Sequence, residues 1–264
     1  MKVIVSTNQK GGVGKTAIIV HLCFYLSKIK NKRVLLFDLD PQGNATKTLS
    51  LGSAGQKSYD FFIEHLKVKP STESWTVIEA DPRLYNTGQL AKQKAFPIFK
   101  KNIKDAGSYF DYVLIDTPPT QEFTMLGALY VANYAFCPII PEGYSIDGIV
   151  KMLQIMQGMT KGQNALNKDL YFLGMVPSKI RGTSTNHKAA IAELYAKYPQ
   201  FMLCTEDGGL VGVTERQAVA EALDSKAAVW EISKKSNDGA ALAGKDFFRV
   251  FDSMLNQMGE TTDV

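Results

Sequence analysis

The chain has 264 residues, is 45% hydrophobic and carries a formal net charge of +4. This is enough apolar sequence to bury one large core, so we expect residues 1–264 to form a single domain. Its three cysteines are widely separated and form no Cys-x-x-Cys pair, which argues against a cysteine metal cage and favours reduced thiols in the cytosol. Neither an export signal nor a bilayer-length apolar run is present, so the sequence predicts a cytoplasmic protein without membrane partners.

Short apolar segments alternate with longer helical patterns along the chain. Such alternation predicts the α/β class, with a twisted, mostly parallel sheet and helices on both faces. The segments 49–69 and 79–94 are the least regular, and we expect them to be rich in loops. The predicted strands are 2–7, 33–38, 76–80, 112–116, 135–140 and 171–176, and the predicted helices are 15–30, 97–106, 122–132, 145–160, 186–197, 214–223 and 240–258.

The first predicted strand breaks into glycines and ends in Gly-Lys-Thr at residues 14–16. Strand, glycines and helix in this order are typical of the phosphate-binding loop of a nucleotide hydrolase. The glycines let backbone N–H groups turn toward one anion, and the next helix points its positive end at the same phosphates. Lys15 is expected to reach the β/γ-phosphates and Thr16 to bind Mg²⁺. Gln9 stands where the usual loop has its first glycine, and Lys10 adds a second lysine.

Two carboxylates follow the next predicted strand. Asp38 and Asp40 lie at its carboxyl end, where ligands bind in doubly wound sheets. Residues i and i+2 of a strand share a face, so both side chains can approach one metal–phosphate centre. Such a pair can hold Mg²⁺ through water or orient an attacking water molecule.

A third carboxylate ends the apolar segment 112–115. Asp116 in this position is typical of a Walker B strand, whose aspartate binds the metal, usually through water. Short apolar strands that end in aspartate are common, and the phosphate-binding loop upstream is what favours the functional interpretation.

Together these motifs resemble the deviant Walker ATPases of the ParA/MinD superfamily, and within it the ParA/Soj partition ATPases. The similarity is strong over the first 120 or so residues and looser beyond, and it is greatest to short plasmid-borne ParA proteins. It implies a single-domain P-loop NTPase fold. The matching segments are 10–16, 38–44 and 114–119, with weaker matches at Pro141, Glu142, Ser145, Gly148, Arg181, Arg216, Glu221 and Ala222.

The resemblance implies a role for each matching residue. Lys10 corresponds to the signature lysine that reaches the partner's nucleotide across a dimer, and Lys15 to the phosphate lysine. Asp40 corresponds to the aspartate needed for hydrolysis, and Thr16, Asp40 and Asp116 are the expected magnesium ligands. The adenine contact is expected at the strand end 175–178. The implied nucleotide contacts are Lys10, Gly11, Gly12, Val13, Gly14, Lys15, Thr16, Ala17 and Pro177.

The implied function is a magnesium-dependent ATPase with weak basal turnover that segregates plasmid or chromosomal DNA. ATP sandwiches two subunits, the homodimer coats nucleoid DNA without reading sequence, and a ParB-type centromere-binding partner triggers hydrolysis and release. Because no helix-turn-helix segment precedes the loop, we expect no operator-specific DNA binding. The candidate DNA contacts are Lys179, Arg181, Lys188 and Arg216, with Lys234 and Lys235.

Two positions depart from the family pattern. Ala17 stands where many relatives have a second Thr or Ser, so the α-phosphate contact falls to its backbone N–H. Lys179-Ile-Arg181 replaces a common Asp-Gly-Arg, which leaves the role of Arg181 open.

Other functions of the same superfamily stay open with less support. A ParA-like ATPase that positions a protein cargo would have the same motifs. A MinD-like membrane ATPase would need a basic amphipathic tail, whereas the apolar segment 247–255 holds one arginine and leads to Glu260 and Asp263. An iron–sulfur carrier is disfavoured by the missing cysteine pair.

Overall fold

The computed structural model describes residues 1–119, 122–141, 146–162, 165–235 and 238–260, with only the backbone at 146–149. Glu142, Ser145 and Asp263 lie outside this part of the chain. Seven strands form one sheet in the order β3-β4-β2-β5-β1-β6-β7, and all of its pairings in the described part are parallel. The strands are β1 (Lys2–Ser6), β2 (Val34–Asp38), β3 (Ser53–Lys57), β4 (Trp75–Glu79), β5 (Tyr112–Asp116), β6 (Tyr134–Ile139) and β7 (Tyr171–Pro177).

Helices cover both faces of this sheet, which confirms the predicted fold class. Helices α1, α2, α8 and α9 pack on one face around Phe24, Phe247 and Phe251, and α3 to α6 pack on the other around Phe62 and Phe99. The helices are α1 (Lys15–Phe24), α2 (Asn44–Thr48), α3 (Asp60–Ile63), α4 (Lys92–Ala106), α5 (Glu122–Val131), α6 (Ile146–Thr160), α7 (Thr185–Lys197), α8 (Gln217–Asp224) and α9 (Gly239–Gln257).

The register of three central strands positions the functional residues. Ser6 of β1 and Asp38 of β2 both lie directly opposite Asp116 of β5. Because parallel strands present their carboxyl ends at one edge, these three residues lie side by side where ligands bind in such sheets. The local motifs, separated by many residues in sequence, therefore meet at one edge.

The prediction of loops at 49–69 and 79–94 is wrong in part. The first segment contains β3 and α3, and the second contains a 3₁₀-helix over Pro82–Gln89. The strand Ser-Ala-Gly-Gln-Lys has none of the β-branched or aromatic residues that favour strands, and Gly55 adopts a φ of +64° within it. It forms at the sheet edge through an irregular pairing with β4, so its structure comes from tertiary contact and not from local preference.

Two helix boundaries also differ from expectation. The segment predicted as one helix over 15–30 is α-helical only to Phe24 and continues as a π-helical turn over Tyr25–Ile29. Helix α4 begins at Lys92, five residues before its predicted start, so Pro97 lies inside the helix. Proline favours the first turn of a helix, which makes this early start hard to predict.

His21 and Trp75 pack inside the core. His21 is fully buried and stacks on Phe247 at 4.3 Å between ring centroids. Its Nδ1 bonds the carbonyl of Ala17 at 2.7 Å, and its Nε2 accepts the N–H of Val229 at 3.2 Å. Trp75 is buried and the three cysteines are free thiols.

The apolar residues of α9 pack into the core. Phe247, Val250, Phe251, Met254 and Leu255 are all buried. Among the described residues no helix combines the length and apolar character needed to cross a membrane. The tail segment proposed for a MinD-like anchor therefore has its apolar face already occupied.

Candidate nucleotide-binding site

The loop between β1 and α1 has the backbone shape of a phosphate-binding loop. Gly12 and Gly14 adopt φ values of +73° and +88°, a left-handed conformation that favours glycine. The loop is fixed from behind, because Ser178 Oγ donates to the carbonyl of the buried Val13 at 2.6 Å. Gly12 itself is exposed, so its backbone is accessible to a ligand.

Lys15 lies at the base of this loop. Its side chain is buried, and Nζ donates to the carbonyl of Lys10 at 3.2 Å. Burial lowers the pKa of Lys15, while the nearby carboxylates of Asp116 and Asp40 raise it. A partly desolvated ammonium next to accessible backbone N–H groups is suited to bind a phosphate.

Thr16 and Asp116 meet across the end of the sheet. Thr16 Oγ1 donates to Asp116 Oδ2 at 2.7 Å, as expected if both serve one metal. Asp116 Oδ1 is buried and has no hydrogen-bond partner among the described residues. Burial, with the neighbouring charge of Asp38, raises the pKa of Asp116 well above its usual value. The nearby Lys15 ammonium offsets only part of this effect, so an ionised Asp116 favours a further cation beside it.

These residues fit a magnesium ion better than a metal with an all-protein ligand cage. Among the described residues, no group of three or more His, Cys, Asp or Glu side chains could hold a metal. Mg²⁺ usually keeps several waters and binds through one or two protein oxygens plus the phosphates of a substrate. The Thr16 hydroxyl and the unpaired oxygen of Asp116 provide that kind of partial site.

Asp38 and Asp40 differ in their surroundings, although the sequence predicts a shared approach to one centre. Asp38 is fully buried, and its Oδ2 accepts both the N–H of Thr46 at 2.8 Å and its hydroxyl at 2.7 Å. Its Oδ1 accepts the N–H of Asp40 at 3.1 Å. Burial raises the pKa of Asp38 to about 6, against the hydrogen bonds from Thr46. Asp38 therefore holds the loop in place, while Asp40 lines the cavity.

A cavity of about 660 Å³ extends from the loop along the carboxyl edge. This is within the usual range for a small-molecule site. One wall consists of predicted residues, namely 12–17 of the loop with Asp40. The opposite wall includes Ser178, at the strand end where the adenine contact is expected. Its other residues had no predicted nucleotide contact: Lys179, Val213, Thr214, Glu215, Arg216, Gln217, Val219, Ala220, Leu223 and Phe247.

The remaining predicted nucleotide contacts lie near this cavity. Lys10 and Gly11 are exposed in the loop, and Ala17 lines the cavity. The carbonyl of Pro177 accepts the N–H of Val213 at 2.8 Å, which brings the opposite wall to the end of β7. Ser178 and Lys179 line the cavity next to Pro177, whose own contact with a nucleotide stays a prediction.

The candidate DNA contacts Lys179, Arg181, Lys188 and Arg216 have different surroundings. Lys179 and Arg216 line the nucleotide cavity, and Nε of Arg216 is buried without a partner in the described part of the chain. Arg181 pairs with Glu215, Nε to Oε2 at 2.8 Å. Lys188 is exposed on α7. Their role in DNA binding stays a prediction.

Comparison with known proteins decides the family. Residues 1–172 match the AAA domain family. Protein IncC of Escherichia coli is 37% identical over 274 residues, covering 98% of this chain and 70% of that protein. A second Escherichia coli IncC is 35% identical over 240 residues, and this chain spans 64% of its length. The sporulation initiation inhibitor protein Soj of Bacillus subtilis is 32% identical over 207 residues, 75% of this chain and 79% of that one. The chain belongs to the ParA/Soj family of partition ATPases.

Solved structures show that the ParA/Soj fold extends over the whole chain. An ATP complex of a Cyanothece McdA variant aligns with a TM-score of 0.80 at 21% identity, over 100% of this chain and 98% of that one. A putative plasmid partition protein of Borrelia burgdorferi bound to AMPPNP aligns with a TM-score of 0.75 at 19% identity, over 97% and 99%. At these sequence identities, the structural similarity establishes the fold alone.

Proposed function

We propose that this protein is a magnesium-dependent ATPase with weak basal turnover. Its ATP-bound dimer binds DNA nonspecifically, and it dissociates from the DNA after a ParB-type partner stimulates hydrolysis. The observation that carries the proposal is the unpaired, buried oxygen of Asp116, hydrogen-bonded through its other oxygen to Thr16 beside the glycine loop. A site with this shape is complete only when a cation and an anion occupy it together, as Mg²⁺ and a nucleoside triphosphate do.

The cavity accommodates the nucleotide with its phosphates toward the loop. The exposed backbone of the glycines and the Lys15 ammonium bind the β- and γ-phosphates, and the adenosine extends along the wall 213–223. Arg216 lines that wall with a buried, unpaired Nε, so we assign it to the nucleotide in preference to DNA. The ATP complex of McdA and the AMPPNP complex of the Borrelia partition protein support this choice of ligand.

Thr16 and Asp116 would hold Mg²⁺, with Asp40 near enough to act through water. When bound, the ion would neutralise the negative charge that develops on the phosphates during transfer of the γ-phosphoryl group. A cobyrinic acid a,c-diamide synthase of Mycobacterium smegmatis with the same fold contains ADP and magnesium. The donor set in this chain supports the same pairing.

Hydrolysis depends on the placement of Asp40. Its loop is fixed because the buried Asp38 accepts the N–H of Asp40 and both donors of Thr46. Asp40 can then orient a water molecule for in-line attack on the γ-phosphate. Lys10 is exposed in the loop, where a second subunit can meet it, which supports its role as a lysine supplied in trans. Coupling of dimerisation to the γ-phosphate follows from that contact.

Binding to a nonspecific DNA duplex with ATP, with ADP and without nucleotide tests this function. We expect tight binding only with ATP, and a steep loss of affinity as salt rises. Absence of DNA binding in every nucleotide state would refute the nucleoid function and redirect attention to a protein cargo, with the ATPase assignment intact. Binding to anionic vesicles in place of DNA would instead support a membrane ATPase, against the buried apolar face of α9.

A further inference from the structure

Helix α4 carries most of the basic residues of a long stretch of sequence that has no acidic residue. No acidic residue occurs between Asp81 and Asp105, whereas this stretch contains Arg83 and five lysines. All five lysines belong to α4 and all are exposed: Lys92, Lys94, Lys100, Lys101 and Lys104. By contrast, residues 181–264, which contain most of the predicted DNA contacts, have nine basic and twelve acidic side chains.

Four of these lysines share one side of the helix. The buried residues of α4 are Ala95, Phe96, Phe99, Asn102, Ile103 and Ala106. At 3.6 residues per turn they occupy one arc, and Lys94, Lys100, Lys101 and Lys104 occupy the opposite arc, here called the α4 lysine face. From Lys94 to Lys104 the helix rises about 15 Å, and a DNA duplex of that length presents roughly nine phosphate charges.

Little inside the protein neutralises this face. Lys101 pairs with Asp105 at 3.1 Å, and Lys100 lies 5.0 Å from the ring centroid of Tyr130. Within the described part of the chain, neither Lys94 nor Lys104 has an ion pair. Lys100 and Lys104 stand four residues apart, and like charges at that spacing destabilise a helix. These lysines add nothing to the core, and the contacts above offset only part of their charge, so the face is suited to bind an external anion.

The chain beside α4 extends the same charge. The N–H of Leu66 donates to Oδ1 of Asn102 in the middle of α4 at 3.0 Å, so the segment that follows runs alongside the helix. This segment contains Lys67 and Lys69, both exposed. Exposed acidic residues nearby include Glu64, Asp105 and Glu122, of which Glu122 pairs with Lys92 at 3.0 Å.

We propose that the α4 lysine face binds the phosphate backbone of double-stranded DNA without reading its sequence. The inference rests on the proposed DNA-binding function and moves the main contact from the C-terminal residues to α4. None of these lysines lines the nucleotide cavity, so DNA and ATP can be bound at the same time. In an ATP-linked dimer two such faces act together, and bivalence raises the affinity of a surface that is weak in one subunit.

A charge-matched pair of variants tests the proposal. The first replaces Lys94, Lys100, Lys101 and Lys104 by glutamine, and the control replaces four exposed lysines elsewhere, Lys151, Lys161, Lys168 and Lys197. Both variants have the same net charge. Binding to a fluorescent nonspecific duplex is measured with ATP between about 50 and 200 mM salt, the range over which phosphate contacts dominate.

We expect the α4 variant to bind at least about tenfold more weakly than the control, with a salt slope shallower by roughly one for each DNA phosphate that the variant no longer neutralises. Equal binding of the two variants would overturn the α4 assignment while leaving the proposed function standing. If the wild type itself fails to bind DNA with ATP, the proposed function fails first and the α4 assignment with it. A wild type that binds anionic vesicles through these lysines, and not DNA, also overturns the assignment.

A second variant excludes loss of folding as the cause. Lys100→Glu places a glutamate four residues before Lys104, an orientation that stabilises a helix. We expect this single change to weaken DNA binding while ATP turnover without DNA stays at the wild-type rate. Unchanged DNA affinity in Lys100→Glu contradicts the proposal.

Discussion

Replacement of Asp116 by asparagine tests whether the buried carboxylate destabilises the protein when no ligand is bound. The carboxyl group is completely buried, one oxygen accepts from Thr16, and the other has no partner in the described structure. Burying an ionised group is unfavourable, Asp38 directly opposite adds repulsion, and the nearby Lys15 ammonium compensates for these effects only in part. Without magnesium and nucleotide, we expect Asp116→Asn to be more stable than the wild type at pH 7.5.

The pH dependence has a definite sign. The pKa of Asp116 is raised in the folded state above its unfolded value of about 3.9, so the folded state binds the proton more tightly. The wild type therefore loses stability, relative to the variant, as the pH rises from about 4 through the folded-state pKa. We expect a difference of about 1–3 kcal/mol at pH 7.5, the cost of an unsatisfied buried group, which corresponds to roughly 2–12 °C in melting temperature.

Thermal and urea unfolding of both proteins at pH 4.5 and 7.5 measure this difference, and the pH dependence of groups remote from Asp116 cancels in it. At about a hundredfold excess over Kd, Mg²⁺ and ATP should stabilise the wild type by about 2.7 kcal/mol and the variant by less. A variant that is less stable than the wild type at pH 7.5 without ligand, or a difference that does not shrink at pH 4.5, would refute this reasoning.

Three further changes test other parts of the structure. Asp40→Ala should bind ATP and DNA as the wild type does but release no phosphate above background; normal turnover would remove Asp40 from its assigned role. Lys10→Ala should bind nucleotide yet stay monomeric with ATP by light scattering, and an unchanged dimer would contradict the lysine in trans. Burial lowers the pKa of His21 to about 4, so the folded state binds its proton less tightly than the unfolded chain does. The neutral imidazole therefore contributes its full stability above pH 6.5, and this contribution is lost as the pH falls toward 4. Compared with His21→Phe, the free energy of unfolding of the wild type in urea should fall by on the order of 3 kcal/mol over this range. Parallel pH profiles of the two proteins would contradict this.

The half of the site that we assign to phosphate and metal was predictable because its signals are local. The glycine loop, Asp40 and Asp116 each follow directly from an apolar strand, and parallel strands present their carboxyl ends together. Sequence could not show that Asp38 and Asp40 differ. That distinction depends on Thr46, whose N–H and hydroxyl turn toward Asp38 only once α2 has formed.

Elements without a strong local signal were missed. The edge strand β3 has weak strand preference and depends on β4, and α4 was placed too late because Pro97 lies inside it. The misplaced start removed Lys92 and Lys94 from the predicted helix. The charge stripe of α4 becomes visible only when its buried arc is known, because sequence spacing alone does not say which side of a helix faces solvent.

The cavity wall at residues 213–223 depends on contacts between distant parts of the chain. Ser178 bonds Val13 across 165 positions, and Val229 bonds His21 across 208. These contacts hold the C-terminal third of the chain against the loop and helix α1, and no periodic pattern encodes them. The family match ends at residue 172, ahead of the whole wall 213–223. We therefore expect phosphate binding to depend on the motifs of the first 120 or so residues, and contact with the base to depend on residues of this wall such as Arg216 and Val219.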